Sequence, residues 1–438
     1  MNDSVFEDGV VGTVDQLNLF EPPVIQAAVQ RSVIVEYRPT SHLSVTQDAP
    51  IHFSLGGDSR NYLDLQKTRL FVRAKIVTED GKDIEKTDDV APVNLTLQSL
   101  WSMVEMKIAG KTTNTPTNGC YPYMAMFQAL LKNSQQAKEG PLISQMFYEE
   151  NDMSNTALNL GYLKRIKFFT ESASVCMEGP LVIDMCSTPR YILCNTAIDI
   201  TLYRSRPEFV LMTSATDKKF KLVIEDICLK AHYLEVHPGI ISGHHEALVT
   251  KKAKAIYPFT KLECKTFNIP SGSRSFYFDN IFNNGYPQRV LCALVQSDAF
   301  SGNFTKNPFD FEHFDLTQIE ICADGVSVPS RPMTFKFDKE GRQAVTPFLR
   351  LYDAVGGSDS PLFGNGIDLE SFCSGHSIFA FPLNGGGLQG NFLEVKRSAN
   401  VCVRGTFGSA LDKSVTLIIY SESPTVAEID ASRNIEIH

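Results

Sequence analysis

The sequence predicts an all-β protein built from two tandem sandwiches. Three observations carry that reading. The dominant hydrophobic period is two rather than 3.6. The alternating segments are separated by clusters of Gly, Pro, Asn and Asp, with no long helices between them. A strand, a hairpin strand and a helix also recur in the same order in the two halves of the chain. At 438 residues the chain is long for one core and comfortable for two of about 200 residues each.

Residues 1–30 form an N-terminal arm. It carries Asp3, Glu7, Asp8, Asp15 and Glu21 and no Lys or Arg. Within it Leu17, Leu19, Phe20, Pro22 and Pro23 are apolar, and such a segment orders only against a neighbour. The first strands follow. "TRLFVRAKIV" puts Leu70, Val72, Ala74 and Ile76 on one face and Arg73 and Lys75 on the other. "VEMKIAGK" does the same with Val104, Met106 and Ile108. "YPYMAMFQALLKN" is a helix with Pro122 in its first turn and an apolar stripe of Tyr123, Met126, Phe127, Leu130 and Leu131. "AIDITLYRS" returns to period two with Ile198, Ile200 and Leu202.

The second half repeats these signals. "QRVLCALVQS" from Gln288 aligns with "TRLFVRAKIV" from Thr68, and "IEICADGV" from Ile319 aligns with "VEMKIAGK" from Val104. "TPFLRLYDAVGG" is a helix with Thr346 as its cap, Phe348, Leu351, Tyr352 and Val355 as its stripe and Gly356-Gly357 as its stop. "SVTLIIYSE" closes the pattern with Val415, Leu417 and Ile419. Sandwiches of this length with long decorated loops suit eight-stranded jelly rolls with short helices in the inter-strand loops. The division expected is an arm at 1–30, a first jelly roll at 31–236, a connector at 237–252, a second jelly roll at 253–422 and a tail at 423–438. The Gly- and His-rich run "EVHPGIISGHHEALVTKKAK" marks the seam.

Several function classes are disfavoured. Net charge is −9, against the basic excess of a nucleic-acid binder. No apolar run is long enough for a membrane span, and the first residues lack a signal peptide's charge and apolar core, so a non-secreted protein is expected. The ten Cys are widely spaced and mostly lie in apolar strands, so reduced, unpaired thiols are expected. His232, His237, His244 and His245 with Glu246 are the best metal candidates, but a cupin-like site needs His-x-His and a Glu converging from facing strands. "GGGLQG" at 385–390 fits a dinucleotide pattern only formally, because it lies between two strands. Cys120 stands before a helix, where a packed thiol is the simpler reading. "KKFK" at 218–221 and "KKAKA" at 251–255 read as solvated faces. No nucleophile lies in a triad context, so no catalytic residue, cofactor or metal is expected.

Beyond these patterns, a family resemblance covers the chain from about residue 18 to the end. It is carried by "NLFEPPVIQAAVQRSVIVEYRPTSHLSVTQDAPIHFSLGGDSRNYLDLQKTRLFVRAKI", by "DDVAPVNLTLQSLWSMVEMKIAGK" and "YPYMAMFQALL", by the block from Tyr257 to Ser330, and by "VTLIIYSESPTVAEIDASRNIEI". Together they resemble the major capsid proteins of Polinton (Maverick) elements and adintoviruses, in the double jelly-roll, adenovirus hexon-like group. Residues 130–180 and 205–220 match poorly, as surface loops do. The resemblance implies a structural, non-enzymatic subunit that assembles inside the host cell. It implies a homotrimer of pseudo-hexagonal footprint, a capsomer lattice in an icosahedral virion shell, and penton or minor capsid proteins as partners. The alternative from another class is a tandem-sandwich carbohydrate-binding or attachment protein, and a bicupin enzyme is a third. An enzyme or sugar binder needs convergent His and carboxylates, or exposed aromatics with acidic partners, and neither pattern is visible.

Overall fold

In a computed structural model the chain folds into two sandwiches of the same topology. The structure describes residues 15–17, 19–20, 22, 25–41, 49–58, 60–215, 218–282, 285–338, 341–355, 364–383 and 397–438. The expected helix stop at Gly356-Gly357, the "GGGLQG" segment and Pro23 lie outside them.

The first half contains β1 (Val29–Tyr37), β2 (Ile51–Leu55), β3 (Asn61–Thr78), β4 (Val90–Pro92), β5 (Trp101–Ile108), β6 (Lys111–Thr112), β7 (Val175–Pro180), β8 (Ile198–Arg204), β9 (Leu211–Thr213) and β10 (Phe220–Val236). The second contains β11 (Ala255–Ile269), β12 (Ser275–Phe278), β13 (Arg289–Gln296), β14 (Leu316–Ala323), β15 (Val326–Thr334), β16 (Ile378–Pro382), β17 (Val401–Phe407), β18 (Val415–Ile429) and β19 (Ile435–Ile437). Sheets of order β1-β10-β3-β7 and β2-β8-β5-β6 make the first roll; β11-β18-β13-β16 and β12-β17-β14-β15 make the second. With the short pair β4–β9 and the terminal β19 set aside, the two halves have identical connectivity, so β1 corresponds to β11, β3 to β13, β5 to β14 and β10 to β18. This is the jelly-roll order, twice, with every ladder antiparallel.

The repeat reaches down to individual turns. β5 turns into β6 through Ala109 and Gly110, at φ 50° and 80°; β14 turns into β15 through Asp324 and Gly325, at φ 48° and 80°. Two successive left-handed residues define the tight hairpin whose twist matches that of its strands. The alternation read from sequence sorts the faces correctly: Leu70, Val72, Ala74 and Ile76 are buried in the first core, as are Val104, Met106 and Ile108 and Ile198, Ile200 and Leu202.

Four details differ from the sequence reading. The second helix runs Val345–Val355, starting one residue ahead of Thr346, so Thr346 lies inside it rather than capping it. The His-rich seam is helical from Pro238 to Val249, with His237 as its cap accepting from Gly239 N. The segment read as a tail at 423–438 holds the end of β18, which stays paired to β11 through Ala255–Ile429, and then β19. A further helix, Leu160–Phe169, occupies the loop between β6 and β7, where Asn159 caps it.

Candidate assembly surfaces

The contact between the two rolls inside one chain is the best-defined interface. The helix Tyr121–Lys132, from the β6–β7 connection of the first roll, is buried on nearly every face. One side covers its own roll, and the other seats on the outer face of β11 and β18. That double burial explains why Met124, Ala125 and Ala129 are buried although they lie off the expected stripe. It also explains why β18 is buried on both faces, with Thr416, Ile418 and Tyr420 buried beside Val415, Leu417 and Ile419.

Aromatic rings fill the seam. Phe127 stacks on Phe311 at 5.3 Å between centroids and packs on Tyr420 at 5.6 Å. Tyr123 stacks on Phe300 at 5.5 Å and meets Phe309 edge-on at 5.6 Å. Such pairs add about 0.5–1.5 kcal/mol each beyond area burial. Around them lies a closed polar network. Gln128 Nε2 donates to Tyr420 Oη at 3.3 Å, Tyr420 donates to Glu422, Lys132 Nζ sits 2.8 Å from Glu422 Oε1, and Arg289 pairs with the other carboxylate oxygen. Burial alone would raise the Glu422 carboxyl, but Lys132 and Arg289 outweigh it and hold it at about 2.

A second polar seam lies further out. Arg165, on the helix Leu160–Phe169, is fully buried against Glu150, and its Nε donates to Pro92 O at 2.8 Å. Asn307 of the second roll donates to the other Glu150 oxygen at 2.8 Å. Nearby, burial pushes Asp310 up to about 8, with Glu312 and Glu150 adding to it. At the opposite end Arg190 Nη1 donates to Ile256 O at 2.6 Å and Arg433 Nε to Cys194 O at 2.9 Å. These hydrogen bonds tie the first roll to the second at several points along the seam.

Among the described residues, other faces carry exposed apolar side chains. Along β1 the exposed residues include Val33, Val35 and Ile34, the last 63% exposed. The helix Val345–Val355 exposes Val345 and Leu349, and the insertion around Leu160–Phe169 exposes Leu158, Leu160 and Phe168. In the arm Leu17, Leu19 and Phe20 are 67%, 75% and 96% exposed, and Pro22 is exposed too. The arm enters β1 beside an apolar cavity of about 510 Å³ lined by Val29, Tyr191, Val236, Ile240 and Ile256. Clustered exposure of this kind marks interaction surfaces.

The residues considered for metal binding do not converge. His244 Nδ1 bonds Tyr62 Oη at 2.9 Å, His237 caps its helix, and His232 lies 3.9 Å from Asp64. His244 and His245 stand on a helix, not a strand, and His245 is exposed. Among the described residues Glu428, Glu436 and His438 do come together, but Lys254 Nζ occupies the cation position, 3.0 Å and 2.5 Å from the two carboxylates. In the basic runs Lys218 pairs with Asp88 and Lys251 with Glu246. Cys120 stands at the N-cap position of the helix Tyr121–Lys132 as a fully buried thiol that makes no capping hydrogen bond. Sequence reasoning missed the Glu150–Arg165–Asn307 and Glu422–Arg289–Lys132 networks, whose members are too far apart in sequence for any local pattern to link them.

The comparisons with known proteins agree with this topology. No family model matches the chain. An uncharacterized protein of Caenorhabditis elegans, F54H12.2, is 25% identical over 397 residues, spanning 88% of this chain and 93% of that one. Among solved structures, a chain of the Sputnik virophage aligns over 98% of this chain and 93% of its own length, with a TM-score of 0.65 and 12% identity. The faustovirus major capsid protein aligns over 96% and 93%, with a TM-score of 0.54 and 8% identity, and the mavirus major capsid protein over 98% and 95%, with 0.51 and 13%. The fold is therefore the double jelly roll. Among the described residues no helix is long and apolar enough to cross a membrane.

Proposed function

We propose that the chain is a major capsid subunit of a double-stranded DNA virus or virus-like transposon. Its role is structural rather than catalytic, and its place is the virion shell, built inside the host cell. Three copies close into a pseudo-hexagonal capsomer, and capsomers tile an icosahedral lattice with penton and minor proteins at its special positions. Residues 1–30 act as the arm, 31–236 and 253–422 as the two rolls, and 237–252 as the connector, with 423–438 completing the second roll's edge. Leu17, Leu19, Phe20, Pro22 and Pro23 serve contacts between capsomers or with shell proteins.

One observation carries the trimer: the first roll's helix seats on the second roll's β11–β18 face, while among the described residues the equivalent helix exposes Val345 and Leu349 and the equivalent face exposes Ile34. By the shared topology, Val345–Val355 corresponds to Tyr121–Lys132 and β1–β10 to β11–β18. If the helix Val345–Val355 of one copy seats on β1–β10 of the next, every roll meets its neighbour in the same way. Six rolls then close a ring after three chains, with heterologous contacts that cannot continue into a fibre. Ladder positions refine the match. Arg289 lies opposite Glu422, and its counterpart Arg69 lies opposite Lys230. Asp353 is the counterpart of Gln128, so an acid is brought to the neighbourhood of Lys230, which also faces Glu178 at 2.6 Å. Contacts of roughly 2,000 Å² are expected, as for permanent assemblies.

Charge reversal tests this. Lys230→Glu should weaken the trimer by about 1–3 kcal/mol per contact, and adding Asp353→Lys should restore part of it. Sedimentation of both variants reads the outcome; a Lys230→Glu protein that stays as tightly trimeric as wild type removes this face from the interface.

A further inference from the structure

We infer that Cys322 and Cys402 form an oxidisable pair, a cross-strand disulfide site on the outer face of the second roll. The two residues are directly opposite each other in the β14–β17 ladder, next to the opposed pair Glu320 and Arg404. Their flanking neighbours Ile321, Val401 and Val403 point into the core and are fully buried, so both thiols lie on the other face, the one carrying the half-exposed Arg404 side chain. Directly opposed antiparallel residues stand about 4.5–5.5 Å apart at Cα, inside the roughly 4.4–6.8 Å range a disulfide spans. Burial, then the neighbouring Cys402 thiol, pushes Cys322 up to about 11, in keeping with two sulfurs in contact.

The first roll shows what this position ordinarily holds. Cys322 follows Ile321 as Lys107 follows Met106, and Lys107 is opposed to Asp199. Two opposed residues of opposite charge in one roll are thus replaced by two opposed thiols in the other. A second thiol contact, Cys120 with Cys264, is sealed in the seam between the rolls at 0% and 3% exposure. Cys402 is 8% exposed, beside the open ring of Tyr277, so a small oxidant reaches this pair first.

The oxidant is a small-molecule disulfide such as glutathione disulfide. The Cys402 thiol loses its proton and attacks one glutathione sulfur, releasing the other glutathione as thiolate. The Cys322 thiolate then attacks Cys402 Sγ in the mixed disulfide and displaces the second glutathione. Two protein thiols are oxidised by two electrons, one glutathione disulfide is reduced to two thiols, and the two protons end on them. The bond ties the two central strands of the β12-β17-β14-β15 sheet and closes a loop of roughly 80 residues that carries the helix Val345–Val355. The thiols remain free in a reducing cytoplasm and close when the protein leaves it. The chemistry is independent of whether the chain builds a shell.

The test uses the full-length wild-type protein, incubated at pH 8 with glutathione disulfide and then denatured. Titratable thiols should fall from ten to eight, and a non-reducing peptide map should join the Cys322 and Cys402 peptides. The oxidised protein should melt about 5 °C or more higher, and dithiothreitol should reverse the shift. The rate should rise with pH, since the thiolate is the reacting form. Ten remaining thiols, or a loss that maps to Cys120–Cys264, to Cys176 or between chains, overturns the assignment.

Discussion

Replacing Glu422 with Gln isolates the charge network at the seam. The carboxylate is 4% exposed and is met by Lys132 on one oxygen and Arg289 on the other. Its folded value of about 2 lies below the ordinary 4.5. A difference of about 2.5 units at about 1.36 kcal/mol each corresponds to about 3 kcal/mol of stability. Because the folded value is depressed, that stability is fully present above pH 4.5 and is lost as pH falls from 4.5 towards 2. The amide variant leaves Arg289 buried beside a neutral group, which costs about 3–5 kcal/mol when a buried pair is broken. Urea unfolding, followed by circular dichroism and by Trp101, the single tryptophan and fully buried in β5, gives the stabilities. At pH 7 the variant should be about 3 kcal/mol less stable than wild type, and the gap should shrink below about 1 kcal/mol near pH 2.5. A gap below about 1 kcal/mol at pH 7, or one that stays constant into acid, refutes the reasoning.

Other substitutions probe separate parts of the molecule. Phe127→Ala removes the ring between Phe311 and Tyr420; it should cost about 3–5 kcal/mol and split unfolding into two calorimetric transitions, one per roll. Asp310→Asn acts in the opposite pH direction. Its acid is raised to about 8 by burial and by Glu312 and Glu150, so the stability it adds is present below about pH 3.8 and lost as pH rises through 8; the variant should therefore be the more stable protein at pH 9, and equal melting temperatures there would count against a buried acid. Deleting residues 1–25, which spares β1, should leave the oligomer intact by light scattering while abolishing shell formation in electron micrographs; dissociation of the oligomer would move the arm into the trimer contact.

Much of the fold was legible because a half-buried strand writes its burial into every second residue. Leu70 to Ile76 and Ile198 to Leu202 show it plainly. The repeat was legible because the same hairpin needs two left-handed residues, and Gly110 and Gly325 mark it in both halves. Legibility failed where burial has two sources. The run Leu417-Ile418-Ile419-Tyr420 is apolar on both faces because one face lies in a sandwich and the other under a helix from the other roll. The helix Pro238–Val249 buries little beyond Leu248, so its sequence carries no apolar stripe and reads as a connector. The buried network was invisible for a related reason: Arg165 reaches Glu150 from a helix 15 residues on, and Asn307 joins them from the other roll. The arm's apolar residues were legible as a surface, and Leu17, Leu19 and Phe20 are exposed in the fold.

The most direct test of the ring is the native mass of the purified full-length protein at micromolar concentration, with negative-stain images of the same sample. A chain of 48.7 kDa that closes as described gives three chains per particle and hexagonal plates of six lobes. A monomer, or a symmetric dimer that leaves the helix Val345–Val355 uncovered, contradicts it.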